Sequence, residues 1–309
     1  MIKSMIKGFI KDSEMEDIWA IIRDENTQIR NYLIERNENY HFESFRKVWM
    51  KQISYRFLLH NLNNKKDSFT KIENIKTELI NHLDISLDII KESKTIEYLL
   101  QFIFHPDYDP SGGLRVGFKS EEEYNLFIDN LRNALSLIDQ TDTDAYSMIK
   151  KNLKAICPVF SVNPLKKGDV ISLSIDYCNG VVFYSPSPFI LAAETLIHET
   201  RHNVLNILLK KVKYLKNGEF KIKTPLREDL RPMLGLIHQA YVLCGITTFY
   251  KKLLDKEPYK QMLNVQKRYN IHLNDYIEAV NTIQNNFTNL TKEGKQLLKE
   301  LINNIKKHG

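Results

Sequence analysis

Pro188-Phe189-Ile190-Leu191-Ala192-Ala193-Glu194-Thr195-Leu196-Ile197-His198-Glu199-Thr200-Arg201-His202 is the stretch whose reading decides both fold and chemistry. Pro188 suits a helix start, where its missing N–H costs little. No breaker interrupts the apolar run that follows. Val204, Leu205, Ile207, Leu208 and Leu209 carry the pattern on, so the segment reads as one long, largely buried helix. Residues four apart share a helix face, which puts Glu194, His198 and His202 on one stripe. Two imidazoles so placed can hold one metal ion, and a glutamate directly after the first histidine is the usual general base of a zinc peptidase. The alternative is a histidine bonded to a backbone carbonyl and a second one on a solvated face. A buried helix disfavours it, because an imidazole without a partner is costly there.

Such a site needs a third donor. A metzincin pattern asks for Gly at 205 and His at 208, and the chain has Leu205 and Leu208. Glu219, Glu228 and Asp229 stand in turn or strand context. His238 is the better candidate. It lies in an otherwise apolar helical pattern from about Pro232 to Leu254, with Gly235 three residues before it to allow close helix approach. The alternative is a core histidine with one hydrogen bond. Three histidines occur around catalytic zinc, while two histidines and a carboxylate suit non-haem iron, so the donors alone leave the metal open.

The rest of the chain narrows the class. Across 309 residues, 44 Lys and Arg face 38 Asp and Glu, a formal charge of +6. The basic residues are scattered, with no arginine-rich stripe among aromatics, so no nucleic-acid partner is expected. Cys157, Cys178 and Cys244 are odd in number and form no CxxC pair, which reads as a reducing cytoplasm. The segment Met1 to Ile10 is broken by lysines and lacks the form of a signal peptide. No uninterrupted apolar run is long enough to cross a membrane. A cytoplasmic protein with no membrane partner is the expectation.

Along the chain, Ser13 with Glu16 has capping-box spacing ahead of a helical pattern. Further helical patterns cover about 42–62, 69–90 and 95–104. A Pro/Gly loop follows at 105–113, in which His105, Asp107 and Asp109 read as turn formers rather than ligands. Ser120 and Glu123 cap a helix to about Asp139, and another runs from Thr141 to about Ala155. Val159–Val162, Val170–Ile175 and Val181–Tyr184 read as strands, with Asn179-Gly180 a hairpin turn between the last two. Asn217-Gly218 marks a further turn, and Phe220–Ile222 a short strand. The predicted fold is mainly α with a small antiparallel β element, the HExxH helix packed on a second helix that supplies the third ligand. Residues 1–115 read as a helical N-terminal lobe suited to peptide recognition, and 116–309 as the catalytic lobe, unless the two form one domain.

From about Ser172 to Leu254 the chain resembles the 2-oxoglutarate-dependent HExxH-type peptide β-hydroxylases, a family associated with peptide-modification systems. The resemblance rests on Gly180-Val181-Val182-Phe183, on Ala193 to His202 as quoted above, and on Arg227-Glu228-Asp229-Leu230-Arg231-Pro232-Met233-Leu234-Gly235-Leu236-Ile237-His238-Gln239-Ala240-Tyr241. Zincin-type peptidases have no such arginine-proline segment. The chain departs at Leu226, where an aromatic residue is expected. The resemblance implies iron(II) held by His198, His202 and His238, with zinc the alternative metal. It implies 2-oxoglutarate as cosubstrate, its distal carboxylate on Arg231 or, second, Arg227. It implies dioxygen as oxidant and a ribosomal precursor peptide as the substrate that is β-hydroxylated. Glu199 and Glu194 then support a ligand or a bound water, with Glu194 alternatively a direct ligand. Tyr241 is a candidate for substrate contact or a core aromatic. Two other functions compete: a cytosolic zinc metallopeptidase with Glu199 as base, and a non-catalytic peptide-binding protein with a structural metal.

Overall fold

Long apolar stripes build the helices of this chain, and runs of buried β-branched residues build its sheet. The computed structural model describes residues 20, 22–29, 31, 76–79, 87–92, 96, 100, 114–161, 171–175, 178–224 and 227–308. They are mainly helical with a small sheet. They form two compact units that interleave along the chain. One takes the described residues up to 132 together with 152–192; the other takes 133–151 and 193–308. The expected capping box at Ser13, the helix at 42–62 and the loop residues His105, Asp107 and Asp109 lie outside the described residues.

In the first unit, strands β1 (Lys76–Leu79), β2 (Asp88–Glu92), β4 (Ala155–Ser161), β6 (Val181–Tyr184) and β5 (Ser172–Leu173) lie side by side in the order β1-β2-β4-β6-β5. Strand β3 (Leu114–Val116) also pairs with β4. The sheet is mixed rather than antiparallel as predicted. β4 runs parallel to both β2 and β6, and the antiparallel pairs are β1–β2, β3–β4 and β5–β6. Burial explains the difference. All four residues of β6 are buried, and so are Asp88, Ile89 and Ile90 of β2. A strand covered on both faces shows no alternation and can pass for a helical apolar run. The helix predicted over 69–90 is corrected too: it contains β1 and the buried start of β2.

The turn at Asn179-Gly180 is real but does not close a two-residue hairpin. Val181 N–H donates to the Cys178 carbonyl at 3.0 Å, and Gly180 has φ 82°, a value that glycine tolerates at the third position of a tight turn. This turn delivers the chain into β6, and only Ser185 to Pro188 separate β6 from helix α3 (Phe189–Leu209).

Helix α1 (Glu121–Thr141) starts as predicted: Glu123 N–H donates to Ser120 Oγ at 3.2 Å, while the Glu123 carboxylate accepts from the Lys119 backbone N–H at 2.6 Å. Helix α2 (Thr143–Asn152) follows at once, its start held by Asp142, which accepts from Ala145 N–H. The second unit is completed by most of α3, the strand pair β7 (Lys221–Thr224) and β8 (Arg227–Pro232), and helices α4 (Met233–Leu254), α5 (Leu263–Asn285) and α6 (Lys292–Ile305). Its core joins Leu205, Tyr214, Met233, Leu236, Ile237, Tyr241, Tyr276, Val280, Leu297 and Leu301. Each large apolar side chain buried there contributes about 1.5–3 kcal/mol of transfer free energy. α5 packs along α4, and α6 against both. α4 is apolar and long enough to cross a membrane by composition, yet 72 % of that window is buried within the fold, as befits a core helix.

Replacing Gly180 by Ala forces a side chain into the left-handed region and is expected to cost about 1–2 kcal/mol. Urea unfolding should show a lower midpoint with an unchanged slope.

Candidate functional site

α3 carries His198 and His202 one turn apart, and α4 brings His238 to them. His198 Nε2 stands 3.1 Å from His202 Nε2, and His202 Nδ1 stands 3.2 Å from His238 Nδ1. The His202 and His238 rings stack at 5.4 Å with planes 23° apart. His202 is therefore the centre of a chain of three imidazoles. A neutral imidazole has one N–H, so His202 donates to one neighbour and accepts from the other. Burial pushes the His202 imidazolium well below its ordinary range, and the charges of His198 and His238 push the same way. Burial likewise lowers His238 to about 4. Both rings are neutral near pH 7, the form in which imidazole binds metal.

The donors fit a metal ion in part. Two nitrogens bound to one tetrahedral ion at about 2.0–2.1 Å stand roughly 3.3–3.4 Å apart, close to the separation of the His198 and His202 Nε2 atoms. With both Nε2 lone pairs committed to an ion, His202 must carry its proton on Nδ1, and that proton is then given to His238. In this arrangement His238 supports His202 from behind, as the outer partner of a ligating histidine does. To become the third ligand, its ring must swing to the Nε2 edge of His202. Among the described residues no three His, Cys, Asp or Glu side chains form a ready-made metal cage.

Glu199 is only 3 % exposed, and its Oε1 is 3.8 Å from His198 Nε2, beyond hydrogen-bond reach. It places a buried carboxyl group beside the outermost imidazole. Glu194, the other carboxylate of the α3 stripe, is fully engaged elsewhere. Arg268 clamps it with Nη2 to Oε1 at 2.6 Å and Nε to Oε2 at 2.7 Å. The Tyr250 hydroxyl donates to Oε2 at 2.6 Å, and His272 Nε2 lies 3.2 Å from Oε1. Burial alone would raise this carboxyl, but the His272 and Arg268 hydrogen bonds and charges outweigh it and hold it at about 2. Arg268, His272 and Tyr250 were not singled out from sequence. Arg268 and His272 have the same four-residue helical spacing as His198 and His202, a signal that was available. Tyr250 gave no signal beyond an aromatic on an apolar helix.

The two arginines expected to bind a carboxylate sit in β8. Arg231 pairs across the hairpin with Ile222 and is half-buried. Arg227 begins the same strand, as do Glu228 and Asp229, which the structure keeps in strand context. A third arginine, Arg201 on α3, is 3 % exposed and was not singled out. Its Nε donates to the Tyr241 carbonyl at 2.8 Å, and its guanidinium carbon lies 4.2 Å from the centre of the Tyr241 ring. Tyr241 is fully buried in the core, where its ring supports Arg201.

In comparison with known proteins, the chain matches no family model and no curated sequence.

Arg268→Ala strips a buried carboxylate of its clamp and is expected to cost about 1.5–3 kcal/mol at pH 7, the range for hydrogen bonds to charged groups. Arg268 is 40 % exposed, which places the loss toward the lower end. The Glu194 carboxyl is depressed on folding, so its stabilisation is complete above the ordinary glutamate value and is lost as pH falls toward 2. His238 is also depressed, so protons favour the unfolded chain as pH falls from 6.5 to about 4. Urea titrations from pH 7 to 2.5 should show both limbs in the wild type and a weakened lower limb in Arg268→Ala.

Proposed function

We propose that the chain is an iron(II)- and 2-oxoglutarate-dependent oxygenase that β-hydroxylates a residue of a ribosomal precursor peptide. The observation that carries this reading is the contact of His198, His202 and His238 through two neutral imidazoles. Its second support is the Arg227 to Tyr241 segment on which the resemblance rests. His198, His202 and His238 are assigned to the metal, with the His238 ring swung onto it. Iron, with 2-oxoglutarate and dioxygen, would supply the oxidation of an unactivated C–H bond. The protein's own residues have simpler tasks. α3 and α4 hold the imidazoles neutral and oriented. Glu199 offsets positive charge beside His198. Glu194, saturated by Arg268 and Tyr250, fixes α3 rather than touching the metal. Arg231, two residues before α4, is assigned to the distal carboxylate of the cosubstrate, with Arg227 second. Residues 1–115 are assigned to peptide recognition.

A zinc peptidase is the second reading, favoured by one observation: the Glu199 carboxylate faces His198 Nε2 at 3.8 Å. A general base must reach a metal-bound water, and this is the carboxylate beside the cluster.

Anaerobic loading with iron, followed by 2-oxoglutarate, oxygen and the peptide encoded beside the gene, is expected to yield succinate and a peptide one oxygen heavier. Cleaved peptide with zinc and no need for 2-oxoglutarate would replace this reading with the second. Glu199→Gln separates them by rate: a general base is worth about 10²–10⁴-fold, whereas a supporting charge leaves hydroxylation within about tenfold. His238→Ala is expected to abolish stoichiometric iron binding. A stoichiometric site weakened about 10–100-fold would instead make His238 the support of His202.

A further inference from the structure

A cavity of about 480 Å³ opens beside α4, at the end of the helix away from His238. Arg201 and Gly245 form one wall, Asp144 and Met148 of α2 another, and Asn304 and Lys307 a third. The volume falls within the usual range for a small-molecule site. Its electrostatics are unusual. Lys252 is neutralised by Asp142 at 2.7 Å, and Lys251 Nζ donates to the Lys307 carbonyl. Arg201 has no carboxylate partner among the described residues, although it is 97 % buried. Its Nη2 meets no acceptor among the described residues. A buried guanidinium left in that state is costly unless something charged completes it.

The fold also prepares this guanidinium. The Tyr241 carbonyl takes Nε, and the Tyr241 ring backs the plane at 4.2 Å. Gly245 leaves room for it: a Cβ there would stand 2.6 Å from Nε and 2.9 Å from Nη1. Nη2 is itself shut away from the cavity, which leaves Nη1 as the donor that an entering carboxylate meets. Asp142, Asp144 and Asp255 line the same cavity, which limits how much negative charge it accepts and disfavours phosphate.

We propose that this cavity binds a small carboxylate, its charged end on Arg201 and its body along Gly245 and Met148. The site needs no metal at the histidines and stands apart from the oxygenase reading. It accounts for a buried cation that the fold positions and that has no carboxylate partner among the described residues.

Calorimetric titration of the metal-free full chain at constant ionic strength tests it, with succinate and inorganic phosphate as probes. Succinate is expected to bind saturably, and phosphate at least tenfold more weakly. Arg201→Gln should weaken succinate at least tenfold. Thr248→Phe, which fills the cavity from a residue that does not hold the guanidinium, should do the same and serves if Arg201→Gln fails to fold. No saturable heat from the folded wild type would overturn the proposal. Unchanged affinity in the folded variants, or phosphate binding as tightly as succinate, would also overturn it.

Discussion

A carboxylate inside a protein must be matched, and the match at Glu194 fixes much of the second unit. Arg268 and His272 come from α5 and Tyr250 from α4, and all three converge on one side chain of α3. The three helices are thereby locked in register at one point. His198 lies one turn beyond that point and His202 two turns, about 6 and 12 Å along the axis. The position of the imidazoles relative to α4 therefore depends on a charge cluster that touches none of them. The residue that resembled a metal ligand in sequence acts as the anchor of the helix that carries the ligands.

The histidine chain obeys a second constraint. Burial keeps His202 and His238 neutral, and a neutral imidazole has a single proton to give. The Nε2 edge of His202 serves His198, and its Nδ1 edge serves His238. Whichever edge carries the proton, a donor bond to one neighbour obliges His202 to accept from the other. The two contacts of His202 are thus coupled through the position of one proton.

The helical parts of this arrangement were legible in the sequence. α3 ends at Leu209, where its apolar pattern ends, and α4 begins directly after Pro232, which fixes its entry at φ −54°. The histidine contacts followed from the four-residue spacing and from one polar residue, His238, on an apolar helix. The sheet was less legible. β6 was read as a strand from its β-branched run, but Asp88, Ile89 and Ile90 of β2 are buried in succession, and the alternation that reveals a strand exists only when one face is wet. The partners of Glu194 were hidden for another reason. Arg268 lies 74 residues away, and a single sequence carries no sign of which distant cation meets a given carboxylate.

Arg201 shows how one helix turn serves two environments. Advancing about 100° per residue, α3 turns His202 toward His238 and the preceding Arg201 toward Tyr241 and Gly245. The short motif that draws attention to the histidines thus contains a second functional group on a different face. Glu194 and Arg201 are both buried ions on α3, and they differ in what the chain supplies. Glu194 receives an arginine, a tyrosine and a histidine. Arg201 receives a carbonyl and an aromatic ring, which hold its plane without cancelling its charge. Where a fold completes one buried ion and stops short at another beside a cavity, the incomplete one is where an external charge gains most by entering.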